Sequence, residues 1–290
     1  MFQRSFSTRG LLAATLLSTT LGLPTFAQDA PPLEEAVEDA ISLEITLDVV
    51  SQYFFRGYEQ QDSGLIFQPG ATVGVPVTDG VSAYFGVWES FHSVPTMGAP
   101  TNPKSWYEQD VFAGVSIELT DILSLDLNYT GYFSPSDSFS DIHEIGVGLA
   151  MADIGLLGED VTFEPHIFVA FEVQDNGGTE DTYLELGGTF GFDINEDISA
   201  SVPVIIGLSL DDYYTDASGD NEVFGYASVG FFITVPMSAI LDSEEWVGAW
   251  DLTTGVTVLF LNDDAALTDD MTGSSDEFQV YGSIGLSREW

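Results

Sequence analysis

The sequence contains no cysteine, and only five Lys and Arg residues stand against 47 Asp and Glu, a formal net charge of −42. Without cysteine there is no disulfide and no thiolate metal site, so the fold has to hold through hydrogen bonds and apolar burial. A chain so poor in positive charge cannot neutralise a phosphate backbone, which excludes nucleic acid as a partner. Cations are its expected counterions.

Long apolar runs are missing as well. From residue 42 onward there is no run of 18 or more apolar residues, which argues against spanning helices. The apolar segment 11–23 is short, follows Arg4 and Arg9, and ends at Thr25-Phe26-Ala27, the pattern of a cleaved secretory signal peptide. We therefore expect residues 1–27 to be removed, which leaves a net charge of 3 − 47 = −44. Residues 28–41 predict an acidic periplasmic lead-in.

What the sequence does contain is a regular alternation of apolar and polar residues. Between Val161 and Val173 every odd-numbered residue is apolar, whereas the even positions include Glu164, His166 and Glu172. A period of two is typical of β-strands with one apolar face. Such runs predict an all-β, up-and-down antiparallel barrel over residues 42–290. Its twelve or so strands are expected at 42–55, 65–77, 81–90, 107–119, 124–133, 142–150, 161–173, 182–193, 198–210, 222–235, 250–261 and 277–290.

Soluble barrels and sandwiches alternate too, but three features favour a transmembrane barrel of a bacterial-type outer membrane. The connections alternate between tight turns, such as 78–80, and long loops, such as 91–106. The face opposite the apolar one is polar and acidic, whereas a soluble barrel needs an apolar interior. Aromatic residues collect near strand ends, where they could form belts at headgroup level. They are Tyr53, Tyr84, Trp88, Trp106, Tyr107, Tyr132, Tyr183, Tyr213, Trp246 and Trp250.

The last predicted strand carries Phe278, Val280, Ile284 and Leu286 at alternating positions and ends at Trp290. It resembles the terminal strand that the outer-membrane assembly machinery recognises. We therefore expect that machinery and outer-membrane lipids as partners, with the outer membrane as the location.

The first predicted strand carries Ser51-Gln52-Tyr53-Phe54-Phe55-Arg56-Gly57, followed by Gln68. This resembles the TorF family of porin-like barrels, whose N-terminal strand typically carries Ser-x-Tyr-x-Phe-Arg-Gly and a downstream Gln. The resemblance covers residues 48–70. It implies an outer-membrane barrel with a pore function and no defined substrate.

Twelve strands predict a narrow lumen, between the filled barrels of about eight strands and the open channels of about sixteen. Acidic lumen residues raise the local cation concentration and repel anions, so cations or small neutral solutes are the expected permeants. The alternative is that these carboxylates only solvate the wall. Arg56 is expected to pair with a lumen carboxylate and fix a loop, or else to act in a filter. The expected pore-lining residues are Glu118, Asp126, Glu164, His166, Glu172, Glu185 and Asp251.

No motif predicts an enzyme: G-x-S-x-G is absent, and His92, His143 and His166 are scattered. We expect no cofactor and no metal centre. The acidic loops 175–181, 211–222 and 262–277 have oxygen ligands of the kind that Ca²⁺ prefers, without EF-hand spacing. The alternative function is therefore a non-conducting structural or surface-binding outer-membrane barrel that uses these loops.

Overall fold

A computed structural model describes residues 41–94, 105–158, 160–175, 181–241, 249–263, 265 and 277–290. The predicted signal peptide, nearly all of the lead-in, Lys104 and Trp246 lie outside the described residues. In the described ranges, no helix is long and apolar enough to cross a bilayer.

The described chain is almost entirely β-structure. One short helix, α1, occupies Met237–Leu241. The strands are β1 Ser42–Val50, β2 Tyr53–Phe55, β3 Tyr58–Gln61, β4 Ile66–Thr78, β5 Val81–His92, β6 Trp106–Thr120, β7 Leu123–Phe133, β8 Ile142–Met151, β9 Thr162–Asp175, β10 Thr182–Asp193, β11 Ser199–Asp211, β12 Phe224–Pro236, β13 Asp251–Leu261 and β14 Phe278–Glu289.

Twelve of these strands form a closed antiparallel barrel, in which each strand pairs with its neighbours in sequence. The barrel closes because β1 pairs with both β4 and β14, so that Leu47 lies opposite Pro69 on one side and Leu286 on the other. The twelve-stranded up-and-down barrel predicted from the alternation is confirmed. Closure leaves no free sheet edge, which is the requirement for a sheet in hydrocarbon.

The two ends of the barrel differ. At the end where β1, β5, β7, β9, β11 and β13 finish, the connections are mostly long, and we call it the long-loop end. The opposite end has the tight turns after β4 and β6, and it holds Ile41 and Trp290; we call it the short-turn end. Leu43 and Trp290 exchange two backbone hydrogen bonds there, of 3.0 and 3.1 Å.

The outer face of the barrel is an apolar band. Large apolar side chains along the strands are at least 36% exposed, among them Phe85, Leu127, Phe171, Phe231 and Ile284. A surface of this kind is unfavourable in water and is what a bilayer core requires. The apolar half of each alternating run therefore lies outside.

The belt interpretation of the strand-end aromatics is wrong for most of them. Tyr53, Trp88, Tyr107, Tyr132 and Tyr183 are 1–5% exposed and pack inside the barrel, while Trp106, at 37% exposure, faces outward. Tyr84 and Tyr213 also make their contacts inside, and Trp250 is buried at the short-turn end. For Trp88, Tyr132 and Tyr183 the reason is the period of two: these rings share a strand face with interior polar residues, and an internal segment gives them partners.

That segment is also why the first strand is shorter than predicted. β1 ends at Val50, and residues 53–61 form a separate two-stranded hairpin, β2–β3. Arg56 and Gly57 form its turn with φ values of 48° and 85°. Two consecutive positive φ values are typical of the tight turns that match the twist of a hairpin. The apolar alternation continues through Tyr53 and Phe55, so the sequence pattern alone does not show that the chain has left the barrel wall.

Candidate functional site

The β2–β3 hairpin, residues 53–61, lies inside the lumen at the long-loop end; we call it the plug. The Tyr53 hydroxyl donates a hydrogen bond of 2.8 Å to Glu108 on β6. Phe54 stacks on Tyr281 of β14, with ring centroids 5.8 Å apart. These partners belong to separate parts of the wall, so the plug crosses the lumen.

The tip of the plug fits closely against β12. A Cβ atom at Gly57 would lie 3.0 Å from the Tyr226 ring, tighter than ordinary contact. The positive φ of Gly57 would also strain any other residue. Glycine at this position is therefore required twice, once by the backbone and once by the approach to Tyr226.

We expect Gly57→Ala to weaken docking of the plug by about 1–2 kcal/mol, since alanine has to adopt a left-handed conformation and displace Tyr226. Hydrogen exchange at the amides of residues 53–61 should accelerate, while exchange in the barrel strands stays the same. Gly219→Ala is the matched control, because Gly219 also has a positive φ of 82° but no heavy atom lies within 4 Å of its added Cβ. Equal acceleration in both variants would contradict a specific fit at Tyr226.

Arg56 is the centre of the site. Its Nη1 and Nη2 atoms donate to the two carboxylate oxygens of Glu144 on β8, at 2.7 and 2.9 Å. Nη1 also donates to the Tyr213 hydroxyl at 3.2 Å, and the Tyr132 hydroxyl donates to Glu144 at 2.9 Å. Aromatic rings surround the guanidinium carbon, with centroids at 4.3 Å (Tyr183), 4.9 Å (Phe55), 5.5 Å (Tyr213) and 6.0 Å (Phe168). We call Tyr132, Glu144, Phe168, Tyr183 and Tyr213 the Arg56 box.

The ion pair in the box is buried, with side-chain exposures of 1% for Arg56 and 6% for Glu144. Burial alone would lower the pKa of Arg56, but the facing Glu144 carboxylate raises that pKa well above its ordinary value. Two-pronged charged hydrogen bonds and cation–π contacts are both strong in such a desolvated setting. The box therefore holds one planar cation with high geometric specificity.

The residues expected to line a pore all lie on the interior face of the barrel. They fall into a long-loop group of Glu172 and Glu185 and a short-turn group containing Glu118, Glu164 and Asp251, with Asp126 and His166 nearer the middle. Asp126 accepts hydrogen bonds from Tyr84 and Asn128. His166 lies 3.0 Å from Glu185. Arg56, expected to pair with a carboxylate, pairs with Glu144.

Several interior carboxylates were missed from the sequence, namely Asp48, Glu108, Asp110 and Glu144, which are 0–4% exposed. The alternation of the sequence could have identified Glu108 and Asp110 as interior residues. They lie on the same face of β6 as Glu118, at even positions of one alternating strand.

The environment of the interior carboxylates changes along the barrel. On β6, Glu108 and Asp110 are buried beside the plug, whereas Glu118, on the same face at the other end, is exposed. On β6 the interior carboxylates are thus buried beside the plug and exposed at the short-turn rim, whereas Asp126, further inside on β7, is 1% exposed.

The other candidate groups are dispersed. His143 faces outward and lies 2.6 Å from the Tyr129 hydroxyl, and His92 lies 3.0 Å from Ser90 in the interior. In the described ranges, no group of three or more His, Cys, Asp or Glu residues could hold a metal ion. Of the acidic loops, 211–222 is described, and Asp216 there accepts from its own turn amides. Most of 175–181 and of 262–277 lies outside the described residues.

A family model for bacterial proteins of unknown function, Gcw_chp, matches residues 36–204, more than half of the chain. The chain belongs to the Gcw_chp family. The match includes the plug and the Arg56 box apart from Tyr213. The TorF assignment suggested by the sequence is not itself shown by this match. No curated protein matches the chain.

Solved structures similar to this Gcw_chp chain include porins and an outer-membrane channel. The NanC porin is 14% identical, with a TM-score of 0.47, and covers 85% of this chain and 98% of its own. An outer-membrane channel from Pseudomonas putida F1 is 10% identical, with a TM-score of 0.47 and coverages of 89% and 100%. LpxR from Salmonella typhimurium is 11% identical, with a TM-score of 0.46 and coverages of 85% and 99%. At this level of similarity the likeness concerns the fold alone.

Proposed function

We propose that this chain is a porin-like barrel of the TorF type in a bacterial outer membrane, through which cations or small neutral solutes diffuse. The observation that carries the proposal is the polarity of the closed barrel, apolar outside and acidic inside. Export by a cleaved signal peptide, residues 1–27, and assembly through the terminal strand ending at Trp290 belong to the same proposal.

The selectivity follows from the charges on the interior face. In the part of the chain that the structure describes, Arg56 is the only Lys or Arg on that face, and Glu144 balances its charge. Glu118 and Glu164 contribute acidic groups toward the short-turn end, and Asp126, buried beside Tyr84 and Asn128, contributes one nearer the middle. A lumen lined in this way concentrates cations and excludes anions.

The TorF-like motif supports the proposal in a way that the sequence alone does not reveal. Its residues form the plug rather than an ordinary strand. Ser51 holds the start of the plug by accepting a hydrogen bond of 2.9 Å from the Gly282 amide. Tyr53 reaches Glu108, and Arg56 with Gly57 makes the turn into the box. The motif is thus the part of the chain that sets how open the lumen is.

The plug also favours a second candidate, a structural or surface-binding barrel that does not conduct. Arg56, Tyr53 and Phe54 are 3–4% exposed, so the plug is packed like a core and not like a loose loop. This alternative predicts a protein that folds and inserts into the bilayer but does not conduct.

The experiment that separates the two is conductance of the refolded mature protein in a planar bilayer across a salt gradient. We expect small, discrete steps with a reversal potential on the cation side. An inserted barrel that does not conduct at any voltage would favour the structural or surface-binding function. Anion-selective steps would contradict cation selectivity by an acidic lumen.

The paired substitution Glu118→Gln and Glu164→Gln should shift the reversal potential toward zero, because it removes two charges from the interior face near the short-turn end. The shift should shrink at high salt, where screening is stronger. Glu89→Gln is the matched control: Glu89 follows the buried Trp88 on β5, faces outward and accepts from Gln109. An equal shift in the control would show that overall charge, and not the lumen, determines selectivity.

A further inference from the structure

We propose that the Arg56 box is a binding site for small organic cations carrying a guanidinium or alkylammonium group, and that Arg56 is its resident occupant. A cationic solute would compete with Arg56 for the box and release the plug. The inference rests on the proposed function, since it names the solute class that the barrel would recognise.

The box has the two elements that recognise such cations. Glu144 offers both oxygens to a pair of parallel N–H donors, as the distances of 2.7 and 2.9 Å to Arg56 show. Tyr183, Tyr213 and Phe168 surround the cation at 4.3–6.0 Å from their ring centroids. Aromatic cages with a carboxylate are the usual receptors for organic cations, and they discriminate against strongly hydrated metal ions.

Arg56 occupies the box at a cost. Its backbone adopts φ of 48°, a conformation that residues with a side chain rarely adopt. Its Nε atom is buried without a hydrogen-bond partner. The strained backbone weakens the hold of the resident, and a free solute cation does not carry that penalty. The unpaired buried donor weakens the hold of Arg56 further.

The walls of the box belong to different elements from its occupant. Tyr132, Glu144, Phe168 and Tyr183 are on barrel strands, and Tyr213 is in the connection after β11. The occupant comes from the plug, which makes only a two-stranded sheet of its own. The plug can therefore leave without breaking the barrel ladder, and the receptor stays in place when it does.

The test uses the refolded full-length mature barrel with Arg56→Ala and methylguanidinium as the probe. Methylguanidinium should raise the melting temperature in a saturable way, beyond the effect of sodium chloride at the same ionic strength. In Arg56→Ala/Glu144→Gln the apparent affinity should fall at least tenfold, because the carboxylate fork is lost. Arg56→Gln serves the same purpose if the alanine variant does not fold.

In the unmodified protein, methylguanidinium at concentrations that saturate the alanine variant should accelerate hydrogen exchange at residues 53–61. A folded Arg56→Ala barrel without a saturable response, or one whose response survives Glu144→Gln, would overturn the site. Unchanged exchange in the unmodified protein would overturn the competition. Conductance separates this inference from the pore proposal. A barrel that binds methylguanidinium but does not conduct would support the binding site and contradict the pore. A barrel that conducts but does not bind methylguanidinium would contradict the binding site alone.

Discussion

Replacing the plug by a short link is expected to raise the conductance of the barrel several-fold. Val50 and Ile66 lie opposite each other in the β1–β4 register, so a four-residue Gly and Asn link in place of residues 51–65 can join the two strands as a hairpin. The barrel wall keeps all twelve strands in this variant, because the plug contributes no strand to it.

The size of the effect follows from where the plug sits. It places Tyr53, Phe54 and Arg56 across a lumen that is already narrow at twelve strands. Without them, the rings of the Arg56 box and the buried carboxylates Glu108 and Asp110 become lumen surface. Larger steps should therefore come with stronger cation preference, since more charge is exposed along the path.

The same link placed at residues 154–158 is the matched control. These residues are exposed and lie in the connection between β8 and β9 at the short-turn end, away from the plug. Their replacement should leave conductance unchanged. A plugless barrel that is folded and inserted, yet conducts like the unmodified chain, would show that the constriction lies elsewhere.

The barrel could be predicted from the sequence because a period of two is a local property. Each strand reveals its apolar face within its own residues, as Val161 to Val173 does, and closure follows from the number of strands. The plug could not be predicted, because its partners are distant in sequence. Arg56 meets Glu144 88 residues away and Tyr213 157 residues away, and no local pattern connects them.

The candidate site, too, could be predicted from the sequence only in part. Alternation correctly puts Glu118 and Glu185 on the interior face, since the face of a strand residue is fixed by its parity. It does not show that Glu185 is fully buried while Glu118 is exposed, because burial depends on the contacts that Glu185 makes with Tyr183 and His166 and on how near the strand end each residue lies. A ring such as Tyr183 fits either a membrane belt or the packed interior, because an aromatic residue near a strand end suits both roles.

Arg56→Met should undock the plug, because the substitution leaves the Glu144 carboxylate buried without its cation. Removing one partner of a buried ion pair costs about 3–5 kcal/mol, more than a small two-stranded hairpin can absorb. We expect fast hydrogen exchange at residues 53–61 and larger conductance steps, with the barrel strands still protected. Arg288→Met is the control: Arg288 lies over Trp290 on the outer face, 4.3 Å from the ring centroid, and its loss should leave the plug docked.

The double variant Arg56→Met/Glu144→Leu decides what the ion pair is for. If the pair only holds the plug, two apolar side chains of similar size should restore docking, since replacing both partners removes the unpaired charge as well. Exchange at residues 53–61 should then return toward that of the unmodified chain, short of it because the Tyr132 and Tyr213 hydroxyls lose their partners. The plug would be closed in both proteins, but only the one with Glu144 keeps a carboxylate that an organic cation can bind. Restored docking together with loss of any response to methylguanidinium would assign stability to packing and cation recognition to the charge.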